Sequence, residues 1–444
     1  MSDNHRTALS TIVVLGDGLL GHIAAVALRR ALPKCEVILA VIDNREPLQA
    51  EASLILPATI HTLDLVGLDE ETLVRTGCAS HRLCERFDGW GNGPFVVDPA
   101  DQPRLVGAAL HQLWLTHGDM PFEALLPAAV LTQAGRFMPT DGLPVEPALA
   151  IAPERVRDLL VRAAQRCGVF TATVARDAIV RGDSDATVMT FANGRTVVAD
   201  LVVEAAAVAE PRGTTLSAHV RALPGPPLLH DQYQRTARGW RARWCGATGG
   251  QEVVVSADPD GEGLREAEGW RPIGYRVTAV ATPFIGNRVM LAAAPGPFLR
   301  LGLSLSLRLL ALLIDLLPGR EPEPLLIGEY NRRAKTIIDD AFSFAATFDI
   351  ALDRETDSAA DALAAFGHNG RLPPDCGELL GVGAWQSLLT GLGIRPTRAD
   401  PLARSVPAQR GPSALHEWQR QVAGLAGRMP SYATWLNAAR RQQP

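Results

Sequence analysis

Ile12, Val13, Val14 and Leu15 form an unbroken aliphatic run, the pattern of a strand buried on both faces. Glycines follow at 16, 18 and 21, and His22 to Leu32 then carries apolar residues at helical spacing. A second apolar run, Val37 to Ile42, ends at Asp43. Strand, glycine turn, helix and strand predict the first unit of a parallel dinucleotide-binding sheet. In such a unit Gly16 makes the turn, Gly18 lets the backbone approach a pyrophosphate, and Gly21 lets the helix pack close. Asp43 stands about 20 residues past the last glycine, where a carboxylate binds ribose hydroxyls. Asp17 lies inside the turn, and its carboxylate repels a phosphate unless it points away.

The pattern continues with a mixed, turn-rich stretch from Pro47 to Leu68. Asp69 to Arg82 reads as a helix with Asp69 as N-cap and Glu70 and Glu71 in its first turn. Gly91 to Pro103 reads as a loop, Arg104 to His117 as a helix, and Pro121 to Pro147 as an irregular surface segment. Pro153 opens a clear helix, with Val156, Leu159, Leu160 and Ala163 on one face and Gly168 as its stop. Val188 to Glu204 predicts a hairpin about Asn193-Gly194. Its second arm becomes too apolar for an edge and is expected to enter the parallel sheet. Arg241 to Ser256 and Gly274 to Thr282 read as strands of a second sheet, and Asn287 to Ala294 as a return to a buried strand. Leu301 to Leu317 is an apolar helix, too short to span a bilayer and interrupted by Arg308 and Asp315. Tyr330 to Phe348 is helical, and Asp353 to Pro374 is loop-like. The last 60 residues are mostly helical, with Trp385, Trp418 and Trp435 as core anchors.

This order predicts an α/β protein with a glutathione-reductase-type dinucleotide fold. The expected division is 1–215 for the dinucleotide region, 216–282 for a second-sheet substrate region, 283–340 for a return to the first, and 341–444 for a helical C-terminal region.

Bulk properties narrow the partners. The 444 residues are 47% hydrophobic and 20% charged, a globular balance. A net charge of -5 gives no reason to expect nucleic-acid binding. The six cysteines form no CxxC pair, which fits reduced thiols rather than a metal site. The opening MSDNHRTALS has no apolar signal region, so a cytoplasmic protein is expected. Lys34 and Lys335 are the sole lysines.

Taken together, a series of segments resembles the flavin-dependent tryptophan halogenases. VVLGDGLLGHIAA resembles that family's GGGxAGW segment, and RFDGW at Arg86 to Trp90 its F-x-x-W. FANGRTVVADLVVEAAA follows its second nucleotide-domain block. Gly239-Trp240 and VVVSA at Val253 to Ala257 fall where its GWxWxIP and YVYSS fall. PFLRLGLSLSL at Pro297 to Leu307 resembles GFLEPLESTSI. EYNRRAKTIIDDAFSF, WQSLLTGLGIRPTRADPLA and RMPSYATWL resemble its later helices. The resemblance implies an FAD cofactor, reduced by a separate flavin reductase, that uses oxygen to oxidise halide to hypohalous acid. A lysine and a glutamate beside the substrate indole then position or activate that electrophile. FAD would be held by Gly16, Gly18, Gly21 and Asp43. Ala52 and Ser53, the remnant of the family's GEAT segment, would also contribute.

The chain departs from the family where the chemistry lies. Arg82 stands at the lysine position, and Leu303 stands at the glutamate position. Arginine stays charged and is a poor proton donor at neutral pH. Ala242 replaces the second tryptophan of the tunnel motif, and Glu204-Ala205-Ala206-Ala207 replaces the family's DCSG near the flavin. Arg82 is expected at a helix end or on the surface, Leu303 in the core, and His81 is a weak candidate acid or base. No catalytic residue is assigned. The expectation is a halogenase-like protein degenerate for halogenation, with weak or absent FAD. It would act as an accessory or binding subunit beside an active relative or a second copy. A flavoenzyme of other redox chemistry, or a halogenase with a reorganised site, remains the alternative.

Overall fold

The run Thr11–Leu15 lies in the interior of an eight-stranded sheet, hydrogen-bonded in parallel to Glu36–Val41 on one side and Leu201–Glu204 on the other. The computed structural model describes residues 7–42, 54–181, 187–206, 216–256, 269–275, 281–293, 295, 298–321, 323–350 and 359–441. In spatial order the sheet runs Thr196–Ala199, Thr187–Phe191, Phe170–Arg181, Glu36–Val41, Thr11–Leu15, Leu201–Glu204, Arg288–Met290 and Phe284–Ile285. Period-two alternation divides its side chains. Ile12, Val14, Leu201 and Val203 pack with the helix Leu19–Ala31. Val13, Leu15 and Val202 face the other way, against Val174, Met189, Phe191, Val197 and Ala199 of the antiparallel arm. The Asn193-Gly194 turn closes that arm, with Gly194 at φ 81°. Asp200 then ends the hairpin by accepting hydrogen bonds from the backbone of Ser10 and Thr11, so the following strand enters the parallel sheet.

A second sheet is ordered Arg271–Tyr275, Leu216–Leu223, Gly249–Ser256, Gly239–Gly246, His230–Thr236, Cys84–Asp88 and Phe95–Val97. Cys84–Asp88 joins it in parallel with His230–Thr236. A small sheet of Leu54–Ile55, Ala148–Ile151 and Ala79–Arg82 packs against Gly239–Gly246 of the second sheet and the helix Leu301–Asp315. The helix Leu301–Asp315 is pinned to this small sheet by Ser304, whose hydroxyl donates to the Leu54 carbonyl and accepts from the Leu56 amide, both at 2.9 Å. Among the described residues no helix is long and apolar enough to cross a membrane.

Several local expectations change. Asp69 does cap a helix, accepting from the Thr72 amide at 2.6 Å, but that helix is only Glu70–Arg75. Gly77, at φ 71°, stops it, and Ala79–Arg82 continues as a strand paired with Ala148–Ile151. The expected loop of 91–103 contains the strand Phe95–Val97. The irregular stretch of 121–147 contains the helix Pro127–Ala134, and the loop of 353–374 contains the helix Ala360–Asn369. Only Leu110–His117 of the expected 104–117 helix is helical. These elements are short, and long-range partners rather than local periodicity define them.

The C-terminal region is helical, and its tryptophans anchor it. Trp385 is fully buried and donates to Asp340 at 2.9 Å. Trp418 donates to the Leu125 carbonyl at 2.9 Å, and Trp435 packs on His81 and Tyr432.

Candidate functional site

The three glycines of the first turn have three different environments. Gly16 sits at φ 112°, a conformation that disfavours a side chain. A Cβ on Gly21 would lie 1.8 Å from the Gly16 carbonyl oxygen, so this glycine allows the helix to close on the turn. A Cβ on Gly18 would meet nothing within 4 Å, so open space lies beside the backbone where a phosphate is expected to approach. Gly18 is the N-cap of Leu19–Ala31, whose first amides lack intrahelical acceptors and lie at the positive end of the helix dipole.

Asp17 is partnered. Its carboxylate lies 3.3 Å from Arg157 Nη2, and Arg157 Nε donates to the Asp17 carbonyl at 3.3 Å. Arg157 projects from the helix Pro153–Cys167, which packs along Leu19–Ala31. His22, one turn into the first helix, has Nδ1 3.0 Å from the Gly18 carbonyl. Burial lowers its pKa, the hydrogen bond to Gly18 opposes this, and the charge of Arg157 lowers it further. The turn therefore fits a pyrophosphate in both shape and local charge. Asp43, Ala52 and Ser53 lie outside the described residues.

At the carboxyl end of the central strands, Glu204 is buried and ion-paired with Arg288. Ala205 donates its amide to the Leu15 carbonyl at 2.9 Å. Ala206 closes on Gly16, where an added Cβ would come within 2.9 Å of the alanine methyl. The segment that replaces DCSG thus carries a carboxylate already held by an arginine.

The position expected to carry the catalytic amine is the largest correction. Arg82 is not at a helix end or on the surface. It ends a strand at 1% exposure and is ion-paired with the equally buried Glu85. Beside it, Arg300 holds Asp231 through contacts of 2.6 and 2.8 Å, with side-chain exposures of 3% and 0%. Asp231 also accepts from the Cys245 amide at 2.7 Å, and Arg300 Nη1 donates to the Cys245 carbonyl at 3.1 Å. Burial pulls the Arg82 guanidinium below the usual arginine range, and Asp231 opposes that effect while Arg300 adds to it. Burial lowers Arg300, but Asp231 together with Cys245 and Tyr233 outweighs it and raises the group. Arg300 and its neighbour Leu299 both have left-handed backbone, at φ 57° and 64°. Such strain persists only where the surroundings over-determine it, and here the Asp231 contacts supply that constraint.

Leu303, at the expected glutamate position, is buried as predicted, in a helix whose residues from Leu301 to Leu307 are all buried. One face of the second sheet is packed with rings. Phe87 stacks on Tyr233 with centroids 5.0 Å apart, and Phe298 lies 4.4 Å from Phe348. Trp90 and Trp240 both pack edge-on against Phe298, at 5.7 and 5.2 Å. Both tryptophans are buried, and Trp90 Nε1 has no hydrogen-bond partner among the described residues. His81 is not paired with Arg82. Adjacent residues of a strand point to opposite faces, and His81 is held by Tyr432 at 3.2 Å and Glu70 at 2.8 Å. Among the described residues no cluster of histidines, cysteines or carboxylates could hold a metal ion.

Glu85, Asp231 and Arg300 were missed from sequence. The available signal for Asp231 was its place in register with Tyr233, on the inward face of His230–Thr236.

Comparison with known proteins adds a partial family match and the fold. Residues 11–212 match the model of the tryptophan halogenase family. No curated protein sequence matches the chain. Among solved structures, BrvH, a flavin-dependent halogenase from Brevundimonas sp. BAL3, is 18% identical with a TM-score of 0.83, covering 97% of this chain and 99% of its own. Xcc4156, a flavin-dependent halogenase from Xanthomonas campestris, is 18% identical with a TM-score of 0.85, covering 97% and 98%. The tryptophan 6-halogenase SttH from Streptomyces toxytricini is 16% identical with a TM-score of 0.83, covering 97% and 99%. At these identities the likeness speaks to fold. Residues 11–212 therefore carry the similarity to the tryptophan halogenase model, and 97% of the chain's length carries the flavin-dependent halogenase fold.

Proposed function

We propose that this chain does not halogenate and serves as an accessory or binding subunit, working beside an active halogenase relative or a second copy of itself. The observation that carries this reading is the fate of the two reactive positions. Arg82 is buried and committed to Glu85, and Leu303 is an apolar core residue. A lysine ammonium on a flexible stem can shift its pKa and exchange a proton, whereas a buried, ion-paired guanidinium stays charged. A leucine can neither accept a proton nor orient an electrophile. The packing of Phe87, Trp90, Tyr233, Trp240, Phe298 and Phe348 against one another, all buried, supports the same reading.

FAD is the cofactor this reading carries, bound weakly. Gly16, Gly18, Gly21 and Asp43 would hold its pyrophosphate and ribose, with Ala52 and Ser53 alongside. When bound, FAD supplies oxygen-dependent redox chemistry. The chain's own contribution is the open backbone at Gly18 and the helix N-terminus that orients the phosphates. The preserved turn favours one alternative, a flavoenzyme that oxidises an indole-type substrate by other chemistry.

The test supplies the purified protein with FAD, a flavin reductase, halide and tryptophan, and follows product by mass spectrometry. Halogenated tryptophan no higher than free reduced flavin gives is the expected result. Product above that level removes the accessory reading. Oxygenated but unhalogenated indole would select the alternative.

A further inference from the structure

We propose that Arg157 is the binding residue that lets the glycine turn accept a dinucleotide pyrophosphate in spite of Asp17. The inference rests on the flavin reading above and goes beyond it by naming the counter-ion.

A carboxylate between Gly16 and Gly18 occupies the turn that the phosphates must approach. Left unpaired it repels them, which would offset the attraction of the helix N-terminus. The chain meets this from a distant segment. Arg157 reaches across from Pro153–Cys167 and grips both the side chain and the carbonyl of Asp17, each at 3.3 Å. These contacts are long for a charge-assisted pair, so the guanidinium is free to tighten on a further anion. Its side chain remains 30% exposed, against 17% for Asp17. A guanidinium has five N–H donors, and no other hydrogen bond from Arg157 is seen among the described residues. The remaining donors suit a phosphate oxygen seated beside Gly18. His22 does not provide a second cation, because burial and the Arg157 charge both lower its pKa. Arg157 therefore has two roles at one place: it cancels the Asp17 charge and contributes a charge-assisted bond to the pyrophosphate.

The experiment measures FAD affinity by quenching of flavin fluorescence, with a thermal melt of each variant, for the parent, Arg157→Ala, Asp17→Asn and the double variant. Arg157→Ala should weaken FAD about 10- to 100-fold, the worth of one charged hydrogen bond. Asp17→Asn should tighten it about threefold to tenfold, by releasing Arg157 to the phosphate. The double variant should recover part of what Arg157→Ala loses, because the uncompensated carboxylate is gone. A merely structural arginine would not produce that recovery. Arg157→Ala binding within twofold of the parent would overturn the proposal while leaving the flavin reading intact. Should Arg157→Ala fail to fold, Asp17→Asn decides alone, and unchanged affinity in it overturns the proposal. No FAD binding by the parent would remove the flavin reading and this inference together. ADP in place of FAD should show the same ranking, since the contact is to the phosphates.

Discussion

Reinstating the family's reactive pair, Arg82→Lys with Leu303→Glu, is expected to destabilise the protein and not to create a halogenase. Leu303 is 8% exposed, so replacing it forfeits about 2 kcal/mol of apolar burial. The new carboxyl group enters a helix whose residues from Leu301 to Leu307 are all buried. The nearest cation along the chain, Arg300, is already bound to Asp231 at 2.6 and 2.8 Å. A carboxyl buried without a partner adds about 2 to 3 kcal/mol even when its pKa rises until it is neutral. The sum is about 4 to 5 kcal/mol. With an unfolding entropy of about 2.1 cal/mol/K per residue, a chain of this length loses roughly 1 °C in Tm per kcal/mol, so a fall of about 5 °C is expected. Arg82→Lys adds to this, because a compact ammonium cannot reproduce the guanidinium's fit to Glu85. The assay pairs a thermal melt with mass spectrometry of tryptophan incubated with FAD, reductase and halide. A variant that melts with the parent and yields halogenated product would refute the reasoning, since it would mean that Leu303 faces an open, polar pocket.

Asp231→Ala should cost about 3 to 5 kcal/mol by stranding the buried Arg300, whereas Asp231→Leu with Arg300→Met should regain most of it. Urea melts of the three proteins check this, and equal midpoints for the single and double variants would contradict it. Gly18→Ala should fold like the parent and lose FAD, because its Cβ enters open space where phosphate would lie. Gly21→Ala should lower Tm as well, because its Cβ strikes the Gly16 carbonyl. Asp98 gives a pH signature. Burial raises its pKa to about 7, opposed by the Ala100 and Ala128 amides. Below the ordinary carboxylate pKa of about 4 both folded and unfolded states hold this proton, so the site contributes no pH dependence there. Between about 4 and about 7 only the folded state keeps it, so its contribution to stability falls as pH rises, by about 1.4 kcal/mol per unit. Asp98→Asn should remove that decline, and denaturant midpoints at pH 5 and pH 7 that keep the parent's difference would refute the assignment.

What could be read from the chain alone was local. The glycine spacing after an apolar run defines a turn, and the structure finds the positive φ of Gly16 and the close helix approach at Gly21. Pro153 and Gly168 bracket a helix because proline loses nothing at the first turn and glycine accepts φ 78° at the stop. Asn193-Gly194 closes its hairpin for the same kind of reason. Gly77 carried the corresponding signal that the helix after Asp69 ends at Arg75, yet the helical pattern through Arg82 masked it. Beyond that point local rules no longer decide. Ala-Ser-His-Arg has no strand periodicity of its own, and it extends because Ala148–Ile151 offers it a ladder. Arg82 is buried because Glu85 and Asp231 set opposite charge against its desolvation and against the neighbouring Arg300, a balance that brings together distant parts of the chain. The same holds at the phosphate turn. Asp17 in isolation argues against an anion, and only the packing of two helices brings Arg157 to it and offsets its charge.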